Sequence, residues 1–303
     1  MALGALFVKG TKAKNVKAGN IQTKTYSRSF MQRCFDIDQC AKINIWTPQK
    51  NGEGLPLVLV LDGDSLFYPA AEMAAEISEK EGLLAIVAGV GYGYLNPYFA
   101  DSHPEHPKGR WRDYTFKDDD ELAYRSERTI GSVHSRGAEF YAFLKDRLVP
   151  DLHSKFSTAA DNVTLIGHSY GARFCAHCLT RYDPDDQANP FTKFVMADQA
   201  FTRHYERNLT RLFETIENAE NAGKRVTTYR IWGEKVDPEG LEKQEELFRR
   251  LEDAQLPGFE NYRYYPLGAD HAGTQPIALR QGLRIAVGLK PLDYSDSSSY
   301  HLE

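Results

Sequence analysis

Residues 163–174, VTLIGHSYGARF, place a serine between two glycines directly after a short apolar run. Val163 to Ile166 has the apolar, β-branched composition of a buried strand, and a helical pattern begins at Gly171. Glycines on both sides of Ser169 allow a sharp turn between strand and helix, which lifts the serine hydroxyl clear of the strand. The helix that follows directs backbone N–H groups and the positive end of its dipole at this turn. This arrangement predicts that Ser169 is a nucleophile.

The rest of the chain alternates short apolar runs with helical patterns, which is typical of a mostly parallel sheet with crossover helices. Two early runs, around 21–37 and 41–47, alternate apolar and polar residues and predict an antiparallel hairpin at the sheet edge. We expect one α/β domain over residues 1–303, doubly wound with helices on both faces, with its core at about 20–290 and a disordered tail at about 295–303. Further strands are predicted at 57–61, 84–90, 163–166, 194–197, 226–232 and 262–265, and helices at 68–80, 171–181 and 276–287.

The composition fits a folded domain and argues against several other classes of protein. With 42% hydrophobic and 26% charged residues among 303, the chain can bury a full core. A formal net charge of -5 argues against a nucleic-acid-binding protein. No apolar run approaches the roughly 20 residues that span a bilayer. Residues 1–9 lack the basic region of a signal peptide, so we expect a cytoplasmic protein. Cys175 and Cys178 are expected to pack the helix behind Ser169.

A serine nucleophile needs a general base, and in a fold of this type the histidine follows the serine in the chain. Of the nine histidines, His271 lies after the last predicted strand and before the last predicted helix. Histidines well before Ser169 have the wrong chain order. His168 and His177 are expected to pack in the turn and helix around Ser169. His271 is therefore the predicted base.

A carboxylate should hold the tautomer of the histidine and stabilise the imidazolium. The strand at 226–232 ends in the sequence WGEKVDPEG, which offers Glu234 and Asp237. Asp237 has the better distance past the glycine and is preferred. Glu234 is one alternative, and Asp198, which follows the preceding strand, is another because a carboxylate there could reach the same imidazole.

Two backbone N–H groups should stabilise the oxyanion that forms when the serine attacks a carbonyl. One donor is predicted to be the N–H of Tyr170, the residue after the nucleophile. The second should come from the loop after the strand at 57–61, where Gly63 lets the chain turn close to the substrate. The N–H of Asp64 is the predicted second donor. An Asx turn made by Asp62 and Asp64 is compatible with the same geometry.

The same motifs resemble a known family. LVLVLDGDSLF, RWRDYTF, LIGHSYGA and GADHAGTQPIALRQGLRIAVG occur in the order seen in the esterase D branch of the α/β-hydrolases. Within that branch they are most similar to siderophore esterases, which open trilactone iron chelators such as enterobactin and bacillibactin. The resemblance implies a cytoplasmic serine esterase with no metal and no organic cofactor, which uses Ser169 and His271. It also implies that a serine–histidine dyad with little help from an acid is an alternative to the triad. Its implied partner is a small-molecule ester, including an iron–siderophore. The related branches cleave feruloyl esters or S-formylglutathione, or transfer acyl groups.

The stretch 91–131 is predicted to be irregular and to contribute to substrate binding. Its segment HPKGRWRDYTF interleaves cationic and aromatic side chains, which would suit a flat, anionic, aromatic ligand. The alternative is a solvated loop whose arginines pair with the acidic run at 118–121. The chain departs from the family pattern at Phe116, where proline is usual, and at 198–201, where a Ser-Pro-Ser-like turn is usual. The predicted substrate-binding residues are Arg110, Arg112, Gly63 and Tyr114, with Lys108 in the same cationic cluster.

Overall fold

The structure is a computed structural model. It describes residues 19–27, 40–49, 52–91, 109–116, 136–180, 189–199, 210–215, 217, 225–233, 235 and 238–292. Arg112 lies in a described helix, although its side chain is not described. Within these ranges, no helix is both long enough and apolar enough to cross a bilayer.

The strands form one 8-stranded sheet in the order β1-β2-β4-β3-β5-β6-β7-β8. The pair β1–β2 and the pair β2–β4 are antiparallel, and every other neighbouring pair is parallel. The predicted mostly parallel sheet with an antiparallel pair at its edge is therefore confirmed, whereas residues 28–37 of the first predicted run lie outside the described residues. The strands are β1 (Gly19–Ser27), β2 (Cys40–Pro48), β3 (Leu55–Leu61), β4 (Ile86–Gly91), β5 (Thr158–His168), β6 (Phe191–Ala197), β7 (Val226–Ile231) and β8 (Phe259–Tyr264).

Helices cover both faces of the sheet, as the doubly wound pattern predicts. Alternate residues of β3 point to opposite faces, so Leu59 packs in one core cluster and Val58 in the other. The first helix of the chain, Gly63–Glu81, and the last, Thr274–Ala286, pack in the cluster that contains Val58. The other helices pack in the cluster that contains Leu59. The helices are α1 (Gly63–Glu81), α2 (Gly109–Tyr114), α3 (Gly137–Phe143), α4 (Val149–Phe156), α5 (Tyr170–Leu179), α6 (Pro238–Ala254) and α7 (Thr274–Ala286), with a π-helical segment, Leu144–Leu148, between α3 and α4.

Two of these helices differ from the sequence-based expectation. Helix α1 begins at Gly63 instead of residue 68, because Asp62 adopts a left-handed conformation that reverses the chain directly after β3. Helix α2 lies within the stretch that was predicted to be irregular. The helix behind Ser169 agrees with expectation, and both Cys175 and Cys178 are buried in it as free thiols.

The strands β3 and β5 define the place where a site can form. They are adjacent and parallel, yet β3 leads into α1 on one face and β5 leads into α5 on the other. Connections that leave neighbouring strands toward opposite faces open a crevice at the carboxyl edge of the sheet, where ligands bind in folds of this type. Ser169 lies directly at this crevice.

Candidate active site

The turn that carries Ser169 has the strained geometry expected of a nucleophile elbow. Ser169 has φ 58 and ψ -117, a backbone conformation that residues with a Cβ rarely adopt. Its N–H donates to the carbonyl oxygen of Ala197 over 2.8 Å, which ties the turn to the end of β6. A Cβ on Gly167 would lie 2.3 Å from the carbonyl oxygen of Gly171, so this position accepts only glycine. The turn places Ser169 at the crevice with 8% of its surface exposed.

His271 lies beside this turn and is paired with Asp198. The Nδ1 atom of His271 is 3.3 Å from Oδ2 of Asp198, and 48% of the histidine side chain is exposed while the carboxylate is fully buried. Asp198 follows β6 with φ 46. A buried carboxylate at Nδ1 holds the imidazole with its Nε2 edge available for proton transfer.

The carboxylate of Asp198 is fixed by two further donors. The N–H of Gly233 donates to Oδ1 over 2.7 Å, and the hydroxyl of Thr274 donates to Oδ2 over 2.8 Å. Gly233 follows β7, and Thr274 is the first residue of α7. The acid is therefore oriented by both the strand beside it and the helix that follows His271.

His168, the residue before the serine, contacts the loop of His271. Its Nε2 is 2.6 Å from the backbone carbonyl oxygen of His271, and the two rings lie 4.3 Å apart between centroids. Because a carbonyl only accepts, Nε2 carries the proton. The Nδ1 atom then accepts from the side-chain amide of Gln275, 3.3 Å away. Burial, with a smaller contribution from the neighbouring His271, lowers the pKa of His168 to about 4, so the ring is neutral at pH 7.

Among the described residues, the ligand atoms of His168, Asp198 and His271 lie within 4.8 Å of one another, as they would around a metal ion. The contacts fit a metal poorly. Both nitrogens of His168 are engaged, and each oxygen of Asp198 already accepts a hydrogen bond. The same atoms fit a hydrogen-bonded relay, since Asp198 faces the Nδ1 of His271.

Of the three carboxylates predicted as candidates for the acid, one lies among the described residues. Asp198 contacts His271, whereas the preferred residue Asp237 and the alternative Glu234 lie outside the described residues. Asp198 and Gly233 come from the ends of neighbouring strands, so a carboxylate after either strand starts close to the imidazole.

The structure places Arg110 and Tyr114, which were predicted to bind substrate, against the carboxylate and the N–H of Asp62. Arg110 is 5% exposed, and its guanidinium forms a two-pronged ion pair with Asp62 at 2.7 and 3.1 Å. Tyr114 is fully buried, and its hydroxyl accepts the N–H of Asp62 over 3.1 Å. Helix α2 turns both side chains toward the interior, where they contact Asp62. The sequence alone does not show this contact.

The remaining predicted site residues lie around the same crevice. Gly63 and Asp64 form the start of α1, and Tyr170 is the first residue of α5. A Cβ on Gly63 would lie 2.4 Å from the backbone of Gly89 in β4, so packing against the sheet requires glycine at this position. Lys108 lies outside the described residues, and nothing of the Arg112 side chain is described.

The sequence and the fold are similar to those of proteins named as esterases and hydrolases. The chain is 25% identical over 131 residues to the ferri-bacillibactin esterase BesA of Bacillus subtilis (strain 168), a match that spans 42% of this chain and 43% of that protein. The BES protein from Bacillus cereus shares 20% identity with a TM-score of 0.71, over 94% of this chain and 100% of that chain. The siderophore hydrolase EstA from Aspergillus nidulans shares 18% identity with a TM-score of 0.65, over 88% of this chain and 93% of that chain.

The chain has the α/β-hydrolase fold. No family model matches it. In α/β-hydrolases the serine, acid and histidine follow one another in the chain, and Ser169, Asp198 and His271 occur in this order. The matched segment of BesA is less than half of that protein's length.

Several residues of the site were missed from sequence. His168 was expected only to pack, and Thr274 and Gln275 were not considered. Their importance comes from contacts with residues far away in the chain, such as the 103 positions that separate His168 from His271. The one local signal was the position of His168 next to the nucleophile.

Proposed function

We propose that this chain is a serine esterase of the esterase D branch, with Ser169, His271 and Asp198 as its catalytic triad. The contact between Asp198 and His271, beside a serine in a strained turn, carries this proposal. A turn that needed only to reverse the chain would require neither a buried carboxylate at the imidazole nor φ 58 at a serine.

The proposed reaction proceeds through an acyl-enzyme. The Ser169 hydroxyl attacks the ester carbonyl as its proton passes to Nε2 of His271, and Asp198 stabilises the resulting imidazolium. The N–H groups of Tyr170 and Asp64 are the proposed donors to the oxyanion. Collapse of the tetrahedral intermediate expels the alcohol, which takes the proton from His271. Water then attacks the acyl group with His271 again as the base, which releases the acid and restores the serine.

The proposed substrate is a siderophore-type trilactone or an aryl ester. The names of BesA and EstA support this class, as does the resemblance of the RWRDYTF and LIGHSYGA motifs, which also supports a cytoplasmic location. Since Arg110 is committed to Asp62, the proposed contact with an anionic aromatic ring falls to Arg112. Feruloyl esters, thioesters and acyl transfer are the alternatives within the same fold.

Covalent labelling tests the nucleophile. Intact-mass measurement after treatment with a fluorophosphonate should show one adduct on the wild-type protein and none on Ser169→Ala. We expect kcat toward p-nitrophenyl acetate to fall by about a million-fold in this variant, because serine and histidine act as a unit. The matched control is Ser78→Ala, near the far end of α1, which should label and turn over normally. Labelling that persists in Ser169→Ala would refute the proposal.

A substrate panel tests the class of ester. Wild-type protein should hydrolyse a tricatecholate trilactone with a higher kcat/KM than a feruloyl ester or a thioester. Arg112→Ala should lower kcat/KM for the trilactone about tenfold or more, the value of a charge-assisted hydrogen bond, and spare p-nitrophenyl acetate. An active enzyme that leaves every trilactone intact would favour the alternatives.

A further inference from the structure

The guanidinium of Arg110 lies between two strained turns. Its Nε and Nη2 donate to the two carboxylate oxygens of Asp62 over 2.7 and 3.1 Å, and the same Nη2 donates to the carbonyl oxygen of His168 over 3.1 Å. Asp62 has φ 55 and Ser169 has φ 58, so each turn holds a residue other than glycine in the left-handed range of φ. One planar group therefore joins the turn after β3 to the turn that carries the nucleophile.

Aromatic rings fix the orientation of this group. The guanidinium carbon lies 5.5 Å from the ring centroid of Tyr114 and 5.4 Å from that of Tyr170. The Tyr114 hydroxyl also accepts the N–H of Asp62 over 3.1 Å. Both the position and the plane of the fork are thus set by α2 and by the first residue of α5.

Stability alone does not explain a buried ion pair at this place. The side chains of Arg110 and Asp62 are 6% and 5% exposed, so both charges are largely removed from water. An apolar pair of similar volume commonly serves stability as well as, or better than, a buried ion pair. A planar fork offers what an apolar pair lacks, because it fixes the direction of several hydrogen bonds at once.

We propose that Arg110 is a positioning residue that sets the spacing between the turn after β3 and the Ser169 turn, and so aligns the oxyanion hole. This rests on the proposed function, in which Tyr170 supplies one N–H from the second turn and Asp64 supplies the other from the first. Both donors must point at one developing oxyanion, so a small shift of either turn lowers the rate of the chemical step.

The first test is Arg110→Lys, which keeps the positive charge beside Asp62 and removes the planar fork. We expect kcat toward p-nitrophenyl acetate to fall about ten- to hundredfold with KM within about threefold, because positioning acts on the transition state. The control is Arg280→Lys. Arg280 of α7 pairs with Glu76 of α1 over 3.1 Å, away from the site, so this variant should leave kcat unchanged. Wild-type kcat in Arg110→Lys would overturn the proposal.

A double variant separates positioning from stability. Arg110→Met and Asp62→Asn should each lower the Tm, since each leaves one buried charge without its partner, and together they should restore part of that loss. Asparagine is chosen because it tolerates the left-handed φ of 55 at this position. We expect kcat of the double variant to stay at least about tenfold below wild type although its Tm exceeds that of the single variants, because the bond to the His168 carbonyl is still missing. Recovery of kcat in step with Tm would show a structural role only and overturn the proposal.

Hydrogen exchange provides a readout that does not depend on activity. In Arg110→Lys, amide exchange in residues 61–66 and 167–171 should rise together by about tenfold, while residues 279–286 of α7 stay protected. A rise in neither segment, or in only one of them, contradicts the joining role. A wild-type protein that labels with no fluorophosphonate and cleaves no ester would refute the proposed function instead, and the exchange data would still decide whether Arg110 couples the two turns.

Discussion

On the Ser169 side of the site, a buried charged pair between Arg110 and Asp62 joins two turns, whereas on the His271 side the contacts that hold the loop are mostly hydrogen bonds around one carboxylate. The first side depends on a planar guanidinium, which fixes the direction of several hydrogen bonds at once. The second side includes His168, whose neutral state depends on pH. One site is therefore held by two kinds of interaction that can be perturbed separately.

The largest effect is expected on the His271 side, at the acid. Asp198→Asn should lower kcat by about 10^4-fold with the fold intact, because an amide at this position does not hold the tautomer that accepts the serine proton. Steady-state kinetics with p-nitrophenyl acetate, together with near-ultraviolet circular dichroism, measures this.

Two other carboxylates serve as controls for that variant. Asp270→Asn, at the exposed neighbour whose Oδ1 accepts the N–H of Gly273 over 2.9 Å, should change kcat by less than about threefold. Asp237→Asn should behave in the same way. A greater loss in Asp237→Asn than in Asp198→Asn would return the acid role to the residue preferred from sequence.

The next largest effect is a pH dependence of the free energy of unfolding that arises from His168. Its pKa is about 4 in the fold and 6.5 in the unfolded chain, so protonation favours unfolding as the pH falls from about 6.5 toward 4. The loss amounts to about 3 kcal/mol at pH 4. His168→Gln retains an N–H donor for the His271 carbonyl and does not titrate, so its free energy of unfolding should fall less across this range. Urea denaturation of both proteins at pH 7, 6, 5 and 4 compares the two slopes; parallel curves would contradict the assignment.

The smallest effect distinguishes the two glycines around Ser169. Gly167→Ala should lower the free energy of unfolding by about 1–3 kcal/mol, because its Cβ meets the Gly171 carbonyl oxygen at 2.3 Å. Gly171→Ala is the matched control, since its Cβ would meet nothing closer than the Asp62 carboxylate at 3.4 Å. We expect its stability to change by less than about 1 kcal/mol. Equal losses in thermal denaturation would mean that backbone crowding at Gly167 is not the cause.

Local pattern was enough to predict much of the sheet, the strand–turn–helix around Ser169 and the position of His271 between the last strand and the last helix. The signal for Ser169 is the pair of glycines on either side of it. The signal for His271 is its position after the last predicted strand and before the last predicted helix. Asp198 could only be kept as an alternative, because neighbouring strands β6 and β7 both end near the imidazole and sequence does not show which carboxylate turns inward.

The role of Arg110 was harder to predict, because it depends on burial. From sequence context alone, an arginine among aromatic residues is equally consistent with a ligand-binding site and with a solvated loop. Its partner Asp62 lies 48 positions away, and α2 turns the side chain inward within a stretch that has no regular pattern. His168 posed the same difficulty, since its contact with His271 joins two loops that only the folded sheet brings together.

The placement of α7 has a consequence for protein synthesis. This helix begins three residues after His271, and Leu279, Leu283 and Ala286 pack it into the same core cluster as α1. Asp198 also receives the hydroxyl of Thr274 at the start of α7. A nascent chain that has made the serine turn still lacks both the base and a donor to the acid until this late helix has left the ribosome and docked. Under the proposed function, hydrolysis therefore begins only after the whole of the described sheet has been translated.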